Sequence, residues 1–186
     1  EVFFDNVRVP VSGRLGEEND GWTVAKYLLE FERGGSSAPG LKVSLDRVKA
    51  MAAAEGGDLG EPLLNDSLFR SRLAELEIAL EAIEMTEHRV MTELSAGKNP
   101  GPASSMLKTQ ATEMTQRIDG LAIDTAAYYA TVHQPRAREP GSNAAPIGPE
   151  HSLVAMPRYL NNRAASIYGG SNEIQRDIMA RLVLGL

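Results

Sequence analysis

Apolar residues recur at helical spacing through most of this chain, and the segment 67–96 shows the pattern most clearly. Its apolar positions alternate at spacings of about three and four, which predicts a bundle helix: they are Phe69, Leu73, Leu76, Leu80, Ile83, Val90 and Leu94. Glu87 interrupts this stripe. The remaining glutamates occupy other faces, so the segment is expected to present a solvated acidic surface.

The same periodicity predicts helices on both sides of that segment. A short one is expected over 22–31, and longer ones follow at 33–54, 102–127, 152–168 and 172–185. Asp66 or Ser67 is placed to cap the helix at 67–96. In the helix at 102–127 the inward positions are predicted to be Leu107, Met114, Ile118 and Leu121. Loops are expected at 55–66 and at 131–150, which holds four prolines and two glycines.

Residues 2–11 (VFFDNVRVPV) are the one segment with a convincing strand pattern, with a bend around Asp5 and Asn6. An isolated strand cannot pair its backbone, so it would belong to a sheet supplied elsewhere. The predicted fold is therefore all-α. It is an up-and-down four-helix bundle with extra short helices, preceded by this single strand.

Composition excludes several classes of function. The 186 residues carry a net charge of −6, which argues against general nucleic-acid binding. Without cysteine, disulfides and thiolate chemistry are ruled out. The three histidines are scattered, which favours structural or surface roles over a metal site. No apolar run approaches a membrane span. The chain opens with Glu1 and no signal-peptide pattern, which suggests a fragment or a processed chain.

The segment YGGSNE at 168–173 is the first candidate site. Gly169 and Gly170 indicate a tight turn, and Ser171 or Asn172 would cap the helix that follows, with Glu173 in its first turn. Free backbone N–H groups at such a helix start can hold a polar ligand. The alternative is that Ser171 and Asn172 serve only as helix caps and hold no ligand. The helix also carries an apolar stripe at Ile174, Ile178 and Leu182.

Glu32 and Arg33 form the second candidate, at the junction between two predicted helices. A carboxyl group packed among Leu28, Leu29 and Phe31 would be partly desolvated, which raises its pKa toward the range of a general base. A helix N-terminus nearby would oppose that rise. Residue types alone leave a surface ion pair as the alternative.

Three segments resemble the acyl-CoA dehydrogenases, a family of flavoenzymes: FFDNVRVPVSGRLGEENDGW, LLEFERGG and RYLNNRAASIYGGSNEIQRDIMARLVLGL. The resemblance covers the whole chain but only the later part of a complete family member. It implies that residues 1–19 are the end of the middle β-domain with its linker. Residues 20–186 would be the C-terminal helical bundle domain.

The resemblance implies FAD-dependent oxidation of an acyl-CoA thioester to trans-2-enoyl-CoA, with a glutamate that removes the α-proton. Family members carry this base either directly after the signature tyrosine or at the first residue of the "ER" pair. Gly169 stands at the first position and Glu32 at the second, as in long-chain and isovaleryl-CoA dehydrogenases. Glu32 is therefore the expected base.

Other roles carry over by position in the same way. Arg33, Tyr168 and Gly169 would contact the acyl-CoA, and glycine leaves room there for a longer or bulkier acyl group. Ser171, Asn172 and Glu173 would contact FAD. The resemblance further implies a homo- or hetero-oligomer, dimeric or tetrameric, and an electron-transferring flavoprotein as acceptor. The expected location is the cytoplasm, or the mitochondrial matrix in a eukaryote.

Two family motifs that hold a neighbouring subunit's FAD are altered. The R-x-x-F-G loop has Gly56 in place of arginine and Leu59 in place of phenylalanine, and a GGxG turn is replaced at 129–131. Arg70 and Arg72 are the nearby candidates to compensate. The alternative function is therefore a non-catalytic or half-site subunit of a mixed oligomer, acting in assembly.

Overall fold

The described parts of the chain fold into α-helices joined by turns. The computed structural model describes residues 1–32, 35–56 and 60–186, and the side chains of residues 30–32 lie outside that description. Within these ranges the helices are α1 Gly21–Glu32, α2 Ala38–Ala54, α3 Ser67–Ser95, α4 Pro102–Ala126, α5 Ser152–Asn161 and α6 Asn172–Met179. The predicted all-α architecture is confirmed.

Helix α4 is the centre of the domain, because it packs against α2, α3, α5 and α6. All four residues predicted to face inward on α4 are buried. The predicted stripe on α3 is buried as far as Val90, and Leu94 is partly buried. Burial of these apolar side chains is the main stabilising contribution to the domain.

Helix α3 begins where the sequence indicates. The side chain of Asp66 accepts a hydrogen bond of 2.7 Å from the backbone N–H of Phe69, so Asp66 is the cap rather than Ser67. The helix ends at Ser95, one residue before the predicted boundary. Gly97 follows with φ of +76°, a conformation that glycine adopts without strain.

Helix α2 begins later than predicted, at Ala38 instead of 33. Pro39 lies in its first turn, where a missing N–H does no harm and the fixed φ suits the helix. Residues 35–37 are not helical, and residues 33–34 lie outside the described ranges. Ser37 precedes the helix but its side chain makes no capping hydrogen bond.

The predicted strand at 2–11 is absent. Residues 1–10 form neither strand nor helix, and Val11–Gly13 is a 3₁₀ turn. A strand needs the backbone of a neighbouring strand as its partner, and none pairs with it within the described ranges. Its apolar side chains are exposed as a result.

The C-terminal helices are shorter than predicted. Helix α5 ends at Asn161 and a 3₁₀ turn occupies Asn162–Ser166, while α6 passes into a π-helical turn at Ala180–Leu184. The apolar stripe noted at this end of the chain is largely uncovered, because Ile174 is 53% exposed and Leu182 is 66% exposed, while Ile178 is half-buried. The buried residues of α6, Asn172 and Gln175, are polar, and Asn172 bonds to Lys108 and Thr112 of α4.

Candidate active site

The turn before α6 brings together five of the residues predicted to form a site. They are Tyr168, Gly169, Ser171, Asn172 and Glu173. Gly169 has φ of +67° and Gly170 has φ of +88°, in the left-handed region that favours glycine. A Cβ atom built on Gly169 meets no other atom within 4 Å, so the space above it is open. Tyr168 beside it is exposed.

Ser171 is the cap of α6, as one of the two sequence alternatives proposed. Its Oγ accepts a long hydrogen bond of 3.4 Å from the backbone N–H of Ile174. Glu173 in the first turn is exposed. The pKa of Glu173 is lowered, chiefly because its own backbone N–H donates to the carboxylate and then because the Ser171 hydroxyl does. This helix start therefore favours a negative charge.

Asn172 points into the protein. It is 3% exposed, and its Oδ1 accepts hydrogen bonds from Lys108 Nζ at 2.9 Å and from Thr112 Oγ1 at 3.2 Å. Lys108 also donates to the carbonyl of Ala165 at 3.1 Å. Asn172 thus anchors the start of α6 to α4, while Ser171 and Glu173 remain accessible.

A second set of bonds fixes the segment that leads into the turn. Gln116 on α4 donates to the carbonyl of Asn162 at 3.1 Å, and Arg163 donates back to the carbonyl of Gln116 at 3.1 Å. Gln175 is fully buried, and its Nε2 lies 3.5 Å from the carbonyl oxygen of Gly169. The turn is therefore held from both sides, which preorganises it.

The other predicted site lies at the end of α1. Glu32 is the last residue of this helix, but its side chain lies outside the described residues, and so does Arg33. Their distance to the turn at 168–173 is accordingly not part of the structure. Beyond the junction, residues 36–38 are held by hydrogen bonds to Glu87.

Glu87 of α3 caps α2 from across the bundle. One carboxylate oxygen accepts from the N–H of Ser37 at 2.6 Å and of Ala38 at 3.2 Å. The other accepts from the Ser36 hydroxyl at 3.0 Å and again from Ala38 at 3.1 Å. Glu87 is 3% exposed. Sequence reasoning missed this role, although a glutamate inside an otherwise apolar stripe was the available signal.

The described residues of the two altered motifs lie outside the turn at 168–173. Gly56 forms an isolated bridge with Pro62, and Leu59 is outside the described residues. Of the two arginines expected to compensate, Arg72 forms an ion pair with Asp124 on α4, and Arg70 is exposed. Residues 129–131 belong to a 3₁₀ turn.

A cavity of about 330 Å³ lies between α2, α4 and α5. Val48, Met51 and Ile118 form part of its apolar wall, and Asp119 and Arg158 lie at its polar side. Asn162 donates to Asp119 at 2.6 Å, so that carboxylate is already engaged. None of the residues predicted from the sequence to form a site lines this cavity.

The described residues offer no cluster of three or more His, Asp or Glu side chains that could hold a metal ion. His151 instead lies 3.0 Å from a carboxylate oxygen of Glu55. Among the described helices, none combines the length and the apolar character that a membrane crossing requires.

Comparison with known proteins gives one family. The family model described as "Acyl-CoA dehydrogenase, C-terminal domain" matches residues 19–184. The acyl-CoA dehydrogenase IpdE1 of Mycobacterium tuberculosis is 32% identical over all of this chain and 43% of its own length. The acyl-CoA dehydrogenase FadE26 of the same organism is 28% identical, over all of this chain and 45% of its own length.

Solved structures agree in fold. One chain of the ChsE4-ChsE5 complex from Mycobacterium tuberculosis is similar with a TM-score of 0.75 and 26% identity, over 99% of this chain and 45% of that one. The structure of PigA with FAD and proline has a TM-score of 0.76 at 22% identity, over 98% of this chain and 43% of that one, and shows the fold alone. The chain spans less than half the length of the curated relatives above. It belongs to the acyl-CoA dehydrogenase family and corresponds to that family's C-terminal domain.

Proposed function

We propose that this chain is the C-terminal helical part of an FAD-dependent acyl-CoA dehydrogenase whose α-proton-abstracting base is Glu32. Residues 1–19 would then be the end of a middle β-domain with its linker, and residues 20–186 the helical domain. The start of the family match at residue 19 supports this division. So does the length of the relatives, of which the chain covers 43% and 45%.

The observation that carries the proposal is the absence of a carboxylate at Gly169, combined with a glutamate at the end of α1. Gly169 has a positive φ and open space where its Cβ would be, so the turn itself supplies room and no base. The reaction needs one carboxylate, because a carbon acid must lose its proton to a positioned base. Glu32 is the family's alternative position for that group.

Glu32 would take the α-proton of the acyl-CoA as a double bond forms between the α- and β-carbons. FAD, when bound, supplies the acceptor for the hydride that leaves the β-carbon. The residues of the turn fit such a group, since Ser171 and Glu173 are accessible beside open space at Gly169. Asn172 would serve by anchoring these two residues to α4.

The acyl-CoA would lie against Arg33, Tyr168 and Gly169. Tyr168 is exposed and offers an aromatic wall, and Gly169 leaves volume that a glutamate side chain would fill. A pocket enlarged in this way accepts a longer or bulkier acyl group. The expected electron acceptor is an electron-transferring flavoprotein.

The second candidate function is that of a half-site subunit in a mixed oligomer. Gly56 and the loss of the GGxG turn favour it, because both changes remove expected contacts to a neighbour's FAD. Arg72 is already paired with Asp124 and is therefore a poor replacement. The relative solved as a complex of two differently named chains, ChsE4 and ChsE5, supports a mixed assembly as the form to test.

Glu32→Gln in the full-length protein tests the primary proposal. It should keep FAD bound and slow flavin reduction by acyl-CoA by at least about 100-fold, the usual contribution of a general base. Stopped-flow absorbance of the bound flavin measures this. Glu30→Gln, two residues earlier on the same helix, is the matched control and should reduce flavin at the wild-type rate. A Glu32→Gln protein that reduces flavin normally rules out Glu32 as the base.

Flavin content separates the two candidate functions. A complete dehydrogenase should purify with about one FAD per subunit when expressed alone. A half-site subunit should lack stoichiometric FAD until a partner chain is co-expressed. Absorbance of the purified protein, with and without the partner, distinguishes these results.

A further inference from the structure

We propose that Lys108 of α4 is a positioning residue for the turn at 168–173, because its side chain joins the segment that enters the turn to the residue that begins α6. Its role is to hold the turn in the shape that binds FAD and acyl-CoA. The inference therefore rests on the ligand contacts proposed for this turn. It is independent of which residue serves as the base.

The ammonium group of Lys108 closes a loop of the chain. Its Nζ donates to the carbonyl of Ala165, before the turn, at 3.1 Å and to Oδ1 of Asn172, after the two glycines, at 2.9 Å. Because both acceptors contact one nitrogen atom, they lie at most about 6 Å apart. Seven residues of fully extended chain would span roughly 24 Å. The two bonds thus restrict the chain between Ala165 and Asn172 to a closed shape.

Three polar residues spaced four apart on α4 face this part of the chain, and Lys108 is the first of them. Residues four apart on a helix lie on the same face, so Lys108, Thr112 and Gln116 form one polar row. Thr112 donates to Asn172 at 3.2 Å, and Gln116 donates to the carbonyl of Asn162 at 3.1 Å. Within the described residues, Lys108 is the member of this row that contacts the chain on both sides of the glycine pair.

The turn itself is built from residues that allow it to move. Gly169 and Gly170 have φ of +67° and +88°, and glycine loses more conformational freedom on ordering than any other residue. Tyr168 beside them is exposed, and the cap bond of Ser171 is long at 3.4 Å. A bond from α4 to each side of the turn restricts this freedom.

The charge of Lys108 strengthens its hold on the turn. A charged donor forms stronger hydrogen bonds than a neutral donor. The carbonyl of Ala165 lies at the end of a 3₁₀ turn, where lysine side chains commonly satisfy the last carbonyls. The lowered pKa of Glu173 is due chiefly to its own backbone N–H, and Lys108 adds a smaller electrostatic contribution. The charge of Lys108 is therefore felt at the accessible side of the turn.

Loss of this bond is expected to weaken ligand binding more than it slows the chemical step. A site that holds its binding shape for only about a tenth of the time binds its ligand about tenfold more weakly. The rate at saturating ligand should change little, because Gly169 gives the turn no base to misplace. A general loss of stability lowers the amount of folded protein but does not produce this split between binding and rate.

The test measures the Kd of FAD by flavin fluorescence in the full-length protein, stripped of FAD and then titrated. Lys108→Met keeps the apolar stem but no donor, so the Kd should rise about tenfold, while flavin reduction at saturating FAD and acyl-CoA changes less than about 3-fold. Thr112→Val removes one donor to Asn172 but leaves the link to Ala165, so the Kd should rise less than about 3-fold. Leu107→Ala weakens the main core, makes none of these bonds and should keep the wild-type Kd.

The proposal is overturned if Lys108→Met binds FAD as tightly as the wild type does, or no more weakly than Thr112→Val and Leu107→Ala do. Glu173→Ala is titrated in parallel. If Glu173→Ala binds FAD normally, the assignment of the turn to FAD is wrong and the role of Lys108 falls with it. If Glu173→Ala binds weakly and Lys108→Met binds normally, only the role of Lys108 is overturned.

Amide hydrogen exchange without FAD gives a second readout that needs no ligand. The amides of Ile167 and Tyr168 donate to the carbonyl of Ala164, directly before the glycine pair. They should exchange at least about tenfold faster in Lys108→Met than in Leu107→Ala, and equal exchange in the two variants overturns the proposal. If Lys108→Met does not fold, Lys108→Gln, which keeps a shorter neutral donor, takes its place and should still bind FAD more weakly than Thr112→Val.

Discussion

Helix α6 begins at the candidate site and helix α2 begins shortly after Glu32, and their first turns are stabilised in opposite ways. Helix α6 is capped locally, by Ser171 with Glu173 close behind it. Helix α2 is capped by Glu87, which reaches it from α3. The local cap is partly exposed and lies in the turn just before its own helix, whereas the distant cap is buried and couples two helices.

This difference shows which kind of helix cap can be recognised from the sequence. A serine followed by an acidic residue just before an amphipathic segment is a local signal, and it placed the start of α6 correctly. The cap of α2 depends on the packing of α3 beside α2. Its only trace in the sequence was one glutamate in an apolar stripe, and the start of α2 was predicted five residues too early.

The largest effect on stability is expected at the distant cap. Glu87→Ala leaves the buried N–H of Ala38 and the partly buried N–H of Ser37 without an acceptor, which should lower the free energy of unfolding by about 3 kcal/mol. Urea denaturation of the variant and the wild-type protein measures it. Glu93→Ala, at an exposed position of the same helix, should change stability by less than about 0.5 kcal/mol. Equal losses of stability in Glu87→Ala and Glu93→Ala would mean that the bonds of Glu87 do not stabilise the start of α2, and the contrast with the cap of α6 would then fail.

The second-largest loss of stability is expected at Asn172, because it is the buried residue in the first turn of α6. Asn172→Ala deprives Lys108 and Thr112 of their shared acceptor and should lower the free energy of unfolding by about 2 kcal/mol. Asn172→Asp keeps an acceptor beside Lys108, and we expect less than half of that loss. Thermal denaturation of both proteins checks the order. An aspartate variant that is the less stable of the two would contradict the assigned bonds.

A smaller loss of stability is expected at Ser171, the local cap of α6. Ser171→Ala removes a single hydrogen bond of 3.4 Å at an accessible position, so the expected loss is about 0.5 kcal/mol, at the low end for a helix cap. Ser171→Asn, which can cap as well, should be nearly neutral. Urea denaturation gives both values. A loss as large as that of Glu87→Ala would mean that the two caps are equivalent.

The smallest effect is electrostatic and concerns Glu173. Its pKa is lowered in the folded protein, so its contribution to stability is present above the ordinary pKa of a glutamate and is lost as pH falls through the lowered value. In Ser171→Ala the pKa should rise toward the ordinary value but not reach it, since the backbone N–H of Glu173 itself remains the larger cause. NMR titration of the Glu173 carboxyl carbon measures the shift. An unchanged pKa would exclude the serine as a cause.

Periodicity alone yielded the all-α fold and most of the core, because those depend on side chains three and four residues apart. The apolar residues predicted on the inner faces of α3 and α4 are buried, or partly buried at Leu94, but the buried polar residues of α4, such as Thr109 and Asp119, were not predicted. The buried polar residues of α6 were not predicted, since Asn172 is buried through bonds to Lys108 and Thr112 on α4. The turn at 168–173 is local and was found. The capping of residues 36–38 by Glu87 depends on contacts between helices and was seen only in the structure.

Amide hydrogen exchange at Ser37 and Ala38 tests the central claim most directly, that α2 begins where Glu87 holds it. In Glu87→Ala these two amides should exchange at least about tenfold faster than in Leu80→Ala, the variant that accounts for a general loss of core stability. The amide of Ile174, bonded to Ser171, should exchange equally in both variants. Unchanged protection at Ser37 and Ala38 would contradict the account.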